Sequence, residues 1–237
     1  MDWGKTKNIF IISFLLLNLI LGYQLYIKYN SYNQIWTLDS KEELDRILDK
    51  SGIVLNVEIP QTTQEISLLR VTNNIESVSD SIKWTSGLNI NSEKVEVFLD
   101  ERISNYNEYE YSTSESNNKN LFVYNQINNG YLFFDAKIIV EIDQDSKITY
   151  RKNYFEVINL GFSKQVITST EAIKIAVEEK VIFPYSNIDN IKLGYRGQGK
   201  NNAIFDLIPV WAIECKLNNG NYIIYVNALT GGIEQDY

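Results

Sequence analysis

Residues 9–27, IFIISFLLLNLILGYQLYI, form the only long apolar run in the chain, and Lys5 and Lys7 stand just ahead of them. At 1.5 Å per residue a helix of about 19 residues reaches roughly 28 Å, the thickness of a bilayer's hydrocarbon core. A cleavable signal would need a shorter core followed by small residues. Here Gly22, Tyr23, Gln24, Leu25 and Tyr26 follow instead, which favours an uncleaved anchor over a cleaved signal. The expectation is a cytoplasmic N-terminus over 1–8, a single transmembrane helix over 9–27, and an extracytoplasmic remainder. Orientation follows from the flanks, since two lysines precede the run and only Lys28 immediately follows it. Tyr23, Tyr26 and Tyr29 then fall near the outer interface and Trp3 near the inner one.

Within that run Asn18 stands at the midpoint. A lone amide in hydrocarbon is costly, and a membrane-buried Asn commonly bonds across to another helix. Phe14, Asn18, Gly22 and Leu25 recur at i, i+4, i+8 and i+11, one helical face on which Gly22 permits close backbone approach. These four residues are the candidate transmembrane partner interface. The bland alternative is a solitary anchor whose Asn is tolerated.

The rest of the chain is acidic, with a net charge of −8, which argues against nucleic-acid partners and against docking on anionic headgroups. A single cysteine, Cys215, excludes an internal disulfide, so the domain must hold together by packing. Histidine is absent, which removes His-dependent triads, His-containing zinc sites and the commonest neutral-pH base. Carboxylate-pair hydrolysis stays open on paper, but no acidic pair stands out. No catalytic residue, cofactor site or metal site is expected.

Along the chain, Ser40–Lys50 reads as an amphipathic helix with Ser40 as N-cap, Glu43 completing a capping box and Gly52 as the stop. The segments 53–59, 65–71 and 93–99 (EKVEVFL) read as strands, and 105–120 as an exposed polar stretch. Its YNEYEY segment, 106–111, fits either an edge strand or a partner-binding surface. Asn128-Asn129-Gly130 and Asn218-Asn219-Gly220 read as two hairpin turns. With Asn219-Gly220 central, Leu217 faces Tyr222, Cys215 faces Ile224, Ile213 faces Val226 and Trp211 faces Ala228. That register makes Cys215 a buried small hydrophobe. Thr168–Val181 reads as a capped helix with Thr168 and Glu171 as its capping box and Ile173, Ala176, Val177 and Val181 as its apolar stripe. Asp143–Ser146 reads as a polar turn rather than a calcium loop, and Gly194–Lys200 as a flexible connection. The fold class expected is α+β: two small lobes of antiparallel sheet plus helix, 28–160 and 161–237, behind the N-terminal transmembrane helix.

The N-terminus, MDWGKTKNIFIISFLLLNLILGYQL, resembles that of the YycI family, membrane-anchored regulatory proteins of the YycFG (WalRK) two-component system of low-GC Gram-positive bacteria. The residues carrying it are Met1, Asp2, Trp3, Lys5, Thr6, Lys7, Ile9, Phe10 and Asn18, supported by the ending VNALTGGIE. The resemblance implies a non-enzymatic protein that acts with a YycH-like membrane protein on a sensor histidine kinase of the YycG/WalK type, and so on cell-wall metabolism. It also implicates the transmembrane helix in those contacts. Residues 161–237 look like a PepSY-type unit, which leaves an alternative role as an exported modulator of a protease or a peptide-binding protein.

Overall fold

The computed structural model describes residues 3–34, 39–60, 65–83, 91–117, 119–145, 147–198, 203–218 and 220–234. The chain divides into two compact units, 1–47 and 48–237. In the first, helix α1 runs from Trp3 to Gln34 without a break. Its described side chains are exposed and, between Phe10 and Tyr23, mostly apolar, with Phe10, Phe14 and Leu19 at 72, 66 and 68%. Among the described residues no helix is long and apolar enough to cross a membrane. The expected span therefore still rests on the sequence rather than on the fold.

Helix α2 (Asp39–Ser51) crosses the unit boundary. It starts one residue before the expected N-cap, so Ser40 is helical rather than a cap. Leu44 and Leu48, one turn apart, are its buried positions, and Gly52 stops it at φ +65.

The second unit is mixed α and β, and ten described strands join in one sheet. In chain order they are β1 (Val54–Leu55), β2 (Glu65–Lys83), β3 (Tyr109–Tyr111), β4 (Leu121–Asn128), β5 (Tyr131–Ile142) and β6 (Lys147–Gln165), then β7 (Asn187–Gln198), β8 (Ile204–Leu217), β9 (Gly220–Asn227) and β10 (Ile233–Glu234). Helix α3 (Ser92–Asp100) follows β2, and α4 (Ser169–Glu178) follows β6. Five strands close a barrel-like circuit: β7 pairs β5, β5 pairs β6, β6 pairs β2, β2 pairs β8, and β8 returns to β7. Every strand of the circuit contributes to an aromatic knot. Phe133 of β5 meets Phe155 of β6 at 6.3 Å and Tyr195 of β7 at 5.6 Å. Phe155 meets Phe205 of β8 at 5.1 Å, and the Tyr195 hydroxyl donates to the Ser67 carbonyl of β2 at 2.7 Å. Such edge and tilted contacts add to the burial of large rings.

The boundary expected between 160 and 161 falls inside β6, which pairs with β2 from Lys147 to Gln165, so the sheet is continuous there. Residues 93–99 are helix, not strand. The Asn91 side chain caps α3 by accepting from the Lys94 amide at 3.2 Å. Val95, Phe98 and Leu99 are buried at helical spacing while Val97 is 62% exposed, so the Val95/Val97 alternation that suggests a strand carries no sheet face. The strand expected over 53–59 is only Val54–Leu55, parallel to β7.

In the first hairpin Asn128 pairs with Tyr131 around Asn129 and Gly130, both at positive φ as a type I′ turn demands. In the second, Leu217 pairs with Gly220, so the turn is centred one residue earlier than expected, and Asn218 takes the positive φ. Cys215 consequently faces Tyr222, Ile213 faces Ile224, and Trp211 faces Val226. The slip moves each partner by two residues, which preserves the face. Trp211, Ile213 and Cys215 are all buried as expected. Gly194–Gln198 is strand, not a flexible connection, and pairs with β8 through Gln198. The α4 capping contact is present: Thr168 Oγ1 accepts from the Glu171 amide at 3.1 Å, and Ile173, Ala176 and Val177 are buried.

Candidate functional site

Strands β7, β8 and β9 present one face made of Arg196 and Asn190, of Val210, Ala212 and Glu214, and of Tyr225, Ile223 and Asn221. The register sets these residues side by side. Strand β5 and the segment 112–116 border this face and leave a cleft of about 640 Å³ lined by Glu115, Phe134, Asp135, Lys137, Asp189, Arg196, Glu214, Tyr222 and Tyr225, among others.

Two ion pairs sit within it. Arg196 reaches Asp135 at 3.4 Å, with side chains 7% and 12% exposed. The Arg196 guanidinium also lies over the Tyr225 ring at 4.1 Å. Asp135 accepts a further bond from the Gly197 amide at 2.9 Å, so its carboxylate is held by a cation and by backbone together. Lys137 pairs with Glu115, which also accepts from Asn125 Nδ2 at 3.0 Å and the Ser112 hydroxyl at 3.2 Å. Asp189 occupies the irregular step in β7 between Ile188 and Asn190, and accepts from Asn56 Nδ2 at 2.7 Å.

Cys215 borders the cleft but is buried, and desolvation pushes its thiol up to about 12, so it is protonated at neutral pH. Among the described residues no group of three or more His, Cys, Asp or Glu is placed to hold a metal ion. Two of the four carboxylates that line the cleft, Glu115 and Asp135, are engaged by cations.

The tyrosines of 106–111 belong to the core rather than to a binding surface. Tyr109 is buried and donates to the Asn153 carbonyl at 2.9 Å, while Tyr106 and Tyr111 pack on Tyr124 at 5.7 and 5.3 Å. Burial raises the Tyr106 and Tyr124 hydroxyls well above their ordinary range. Of the segment read as a polar turn, residues 143–145 are described and do turn, with Asp143 Oδ1 accepting from the amides of Asp145 and Lys147. Sequence reading missed the cleft. Its available signal was charge inside strands, Asp135 and Lys137 in YLFFDAKIIV and Arg196 between two glycines.

The residues singled out in α1 lie outside this site. Phe14, Asn18 and Gly22 are exposed on the helix, nothing stands within 4 Å of a Cβ built on Gly22, and the Leu25 side chain lies outside the described residues.

No curated protein matches this chain. Among solved structures, an uncharacterized protein from Eubacterium rectale ATCC 33656 is 10% identical, with 85% of this chain and 83% of that one covered at a TM-score of 0.43. The C-terminal domain of Bacillus megaterium YpeB is 16% identical, with 66% of each chain covered at a TM-score of 0.44. Neither likeness is close enough to carry function. Residues 76–229 match the family described as YycI protein. That match takes in most of the circuit and nearly all of the cleft, and covers well over half of the sequence, so the chain belongs to the YycI family, regulatory rather than enzymatic proteins associated with the YycFG system.

Proposed function

We propose that this protein is a membrane-anchored accessory regulator of a YycG/WalK-type sensor histidine kinase, acting beside a YycH-like membrane protein to modulate signalling for cell-wall metabolism. YycI proteins are membrane-associated regulators of that system. The observation that carries the reading is the apolar run of residues 9–27 in the sequence, which lies on one continuous helix, is exposed wherever its side chains are described, and has Asn18 near its midpoint. A helix apolar all round belongs in lipid or in a protein core. With residues 9–27 as the span, the N-terminus is cytoplasmic and the chain from Lys28 onward is extracytoplasmic.

In this reading Phe14, Asn18, Gly22 and Leu25 face partner helices. Asn18 supplies an interhelical hydrogen bond worth about 1 kcal/mol, and Gly22 lets backbones approach. To change kinase output the contact must differ between the kinase's two states, because equal affinity shifts nothing. A difference of about 1 kcal/mol moves such an equilibrium about fivefold. Replacing Asn18 or Gly22 by Leu keeps the span apolar and removes the contact. Kinase-dependent transcription should then change and co-purification with the kinase should weaken, while residues 48–237 stay folded. Unchanged association in both variants would refute the interface.

A further inference from the structure

Strand β6 loses its neighbour on one side partway along. Its pairing with β5 ends at Lys152, whereas its pairing with β2 runs on to Gln165. At Phe155 the open edge is still covered by the Gln126 side chain, which donates to the Phe155 carbonyl at 2.9 Å and accepts from the Phe155 amide at 2.8 Å. From Glu156 to Gln165 no strand lies on that edge among the described residues, and every residue of the segment except Val157 is exposed. Ile158, Leu160 and Phe162 are large, apolar and 48, 65 and 89% exposed. An apolar edge strand left open is a template for association, and proteins that avoid association blunt such an edge with charge.

Here the charges stand only at the ends of the apolar run, Glu156 on one side and Lys164 on the other. Neither makes an ion pair among the described residues. The register against β2 places them symmetrically. Leu160 stands opposite Leu69, Glu156 opposite Thr72 and Lys164 opposite Ile66, so each charge lies three β2 residues, about 10 Å, from Leu160. One irregularity of β6 falls on each side of Leu160, and these bulges leave side chains rather than a regular backbone ladder to carry a contact.

From this arrangement we infer that the open edge of β6 is a self-association surface, on which a second copy of this chain lies antiparallel about a two-fold axis at Leu160. Glu156 of each copy then meets Lys164 of the other, Ile158 meets Phe162, and Leu160 meets its own counterpart. A parallel arrangement would set Glu156 beside Glu156 and Lys164 beside Lys164, which repulsion disfavours. A two-fold contact uses the same patch on both copies, and opposite charges at equal distances from the axis make this patch complementary to itself. A contact of this size falls at the low end of specific interfaces, so the pair is reversible. The inference does not depend on the kinase reading, because it rests on residues of the second unit alone.

The test is disulfide trapping of the full chain in native membranes, with copper phenanthroline as the oxidant. Cys215 is the only native cysteine and is buried, so an introduced thiol reports alone. Leu160→Cys should give a disulfide-linked homodimer on a non-reducing gel, and Val97→Cys, comparably exposed on α3, should not. Ile158→Cys should link to Phe162→Cys better than to itself. In the Leu160→Cys background, Glu156→Lys or Lys164→Glu alone should lower the dimer yield about tenfold, and the two together should restore it, because the reversed charges again meet opposites across the axis. Failure of Leu160→Cys to form a homodimer above the Val97→Cys level would overturn the inference. So would a Leu160→Cys adduct with a different protein in its place, or a double charge reversal that stays as low as the single ones.

Discussion

Gly194→Ala tests the barrel-like closure at its narrowest joint. Strands β5 and β7 are held together by two residue pairs, Leu132 with Gly194 and Phe133 with Tyr195. A Cβ on Gly194 would stand 2.5 Å from the Leu132 carbonyl oxygen and 2.6 Å from the Phe134 ring. Ordinary contact begins near 3.4 Å, so the strands must part by about 0.9 Å, and the backbone oxygen cannot rotate away. Overpacking of this kind costs about 1–3 kcal/mol, and a carbonyl as the obstacle places this case at the upper end. Lower unfolded-state entropy in the alanine variant offsets about 0.4–1 kcal/mol of that.

The expected net loss is about 2 kcal/mol, or about 4–8 °C in Tm for a unit of this size. Gly220→Ala is the control. Its Cβ would lie 3.7 Å from the nearest atom, the Leu217 carbonyl oxygen, and its φ is not positive, so stability should hold within about 0.5 kcal/mol. Urea unfolding followed by tryptophan fluorescence reads both, since Trp211 is buried in β8. Equal midpoints for the two variants would show that β5 and β7 do not meet as described.

Three other outcomes follow from single features. Phe98→Ala should cost about 3–5 kcal/mol and Leu99→Ala about 2–5 kcal/mol while Val97→Lys stays within about 0.5 kcal/mol, a pattern measurable by urea unfolding in which two consecutive residues are buried, as in a helix and not in a strand of alternating faces. Cys215 should resist a thiol reagent at pH 8 in the folded protein and react fully in denaturant, and rapid labelling of the native state would contradict its burial. Hydrogen bonding to Arg70 lowers the folded-state pKa of Asp206, so the pair contributes stability above the ordinary carboxylate pKa and loses it as pH falls below that value. Because both side chains are more than half exposed, the effect should be small and salt-sensitive, and Asp206→Asn should flatten that acid limb in pH-dependent unfolding.

What could be read ahead of the structure was local chemistry. Thr168 and Glu171 cap α4 because capping requires only neighbours, and Asn129-Gly130 turns because both residues tolerate positive φ. Burial of Cys215 survived a misplaced turn because a two-residue slip keeps the face. Long-range closure left no local mark. Nothing near Gly194 or Arg70 announces that β7 meets β5 or that β2 meets β8, so glycines needed for close approach looked like a loop. Helix α3 was obscured by Val95 and Val97, whose branched side chains suggest a strand until Asn91 is seen capping the turn. The cleft assembles residues from β5, β7, β8 and β9 together with 113–115, a set that no spacing in the sequence brings together.

The central claim is that α1 is a membrane helix that touches partner helices through the Asn18 face. Photo-crosslinking in native membranes tests it most directly, with a probe at Asn18, a control probe at Leu17 on another face, and mass spectrometry of the adducts. The account predicts an adduct with the kinase or the YycH-like protein at Asn18 and a much weaker one at Leu17. Absence of a specific adduct at both positions, under conditions where a known helix pair crosslinks, would contradict it.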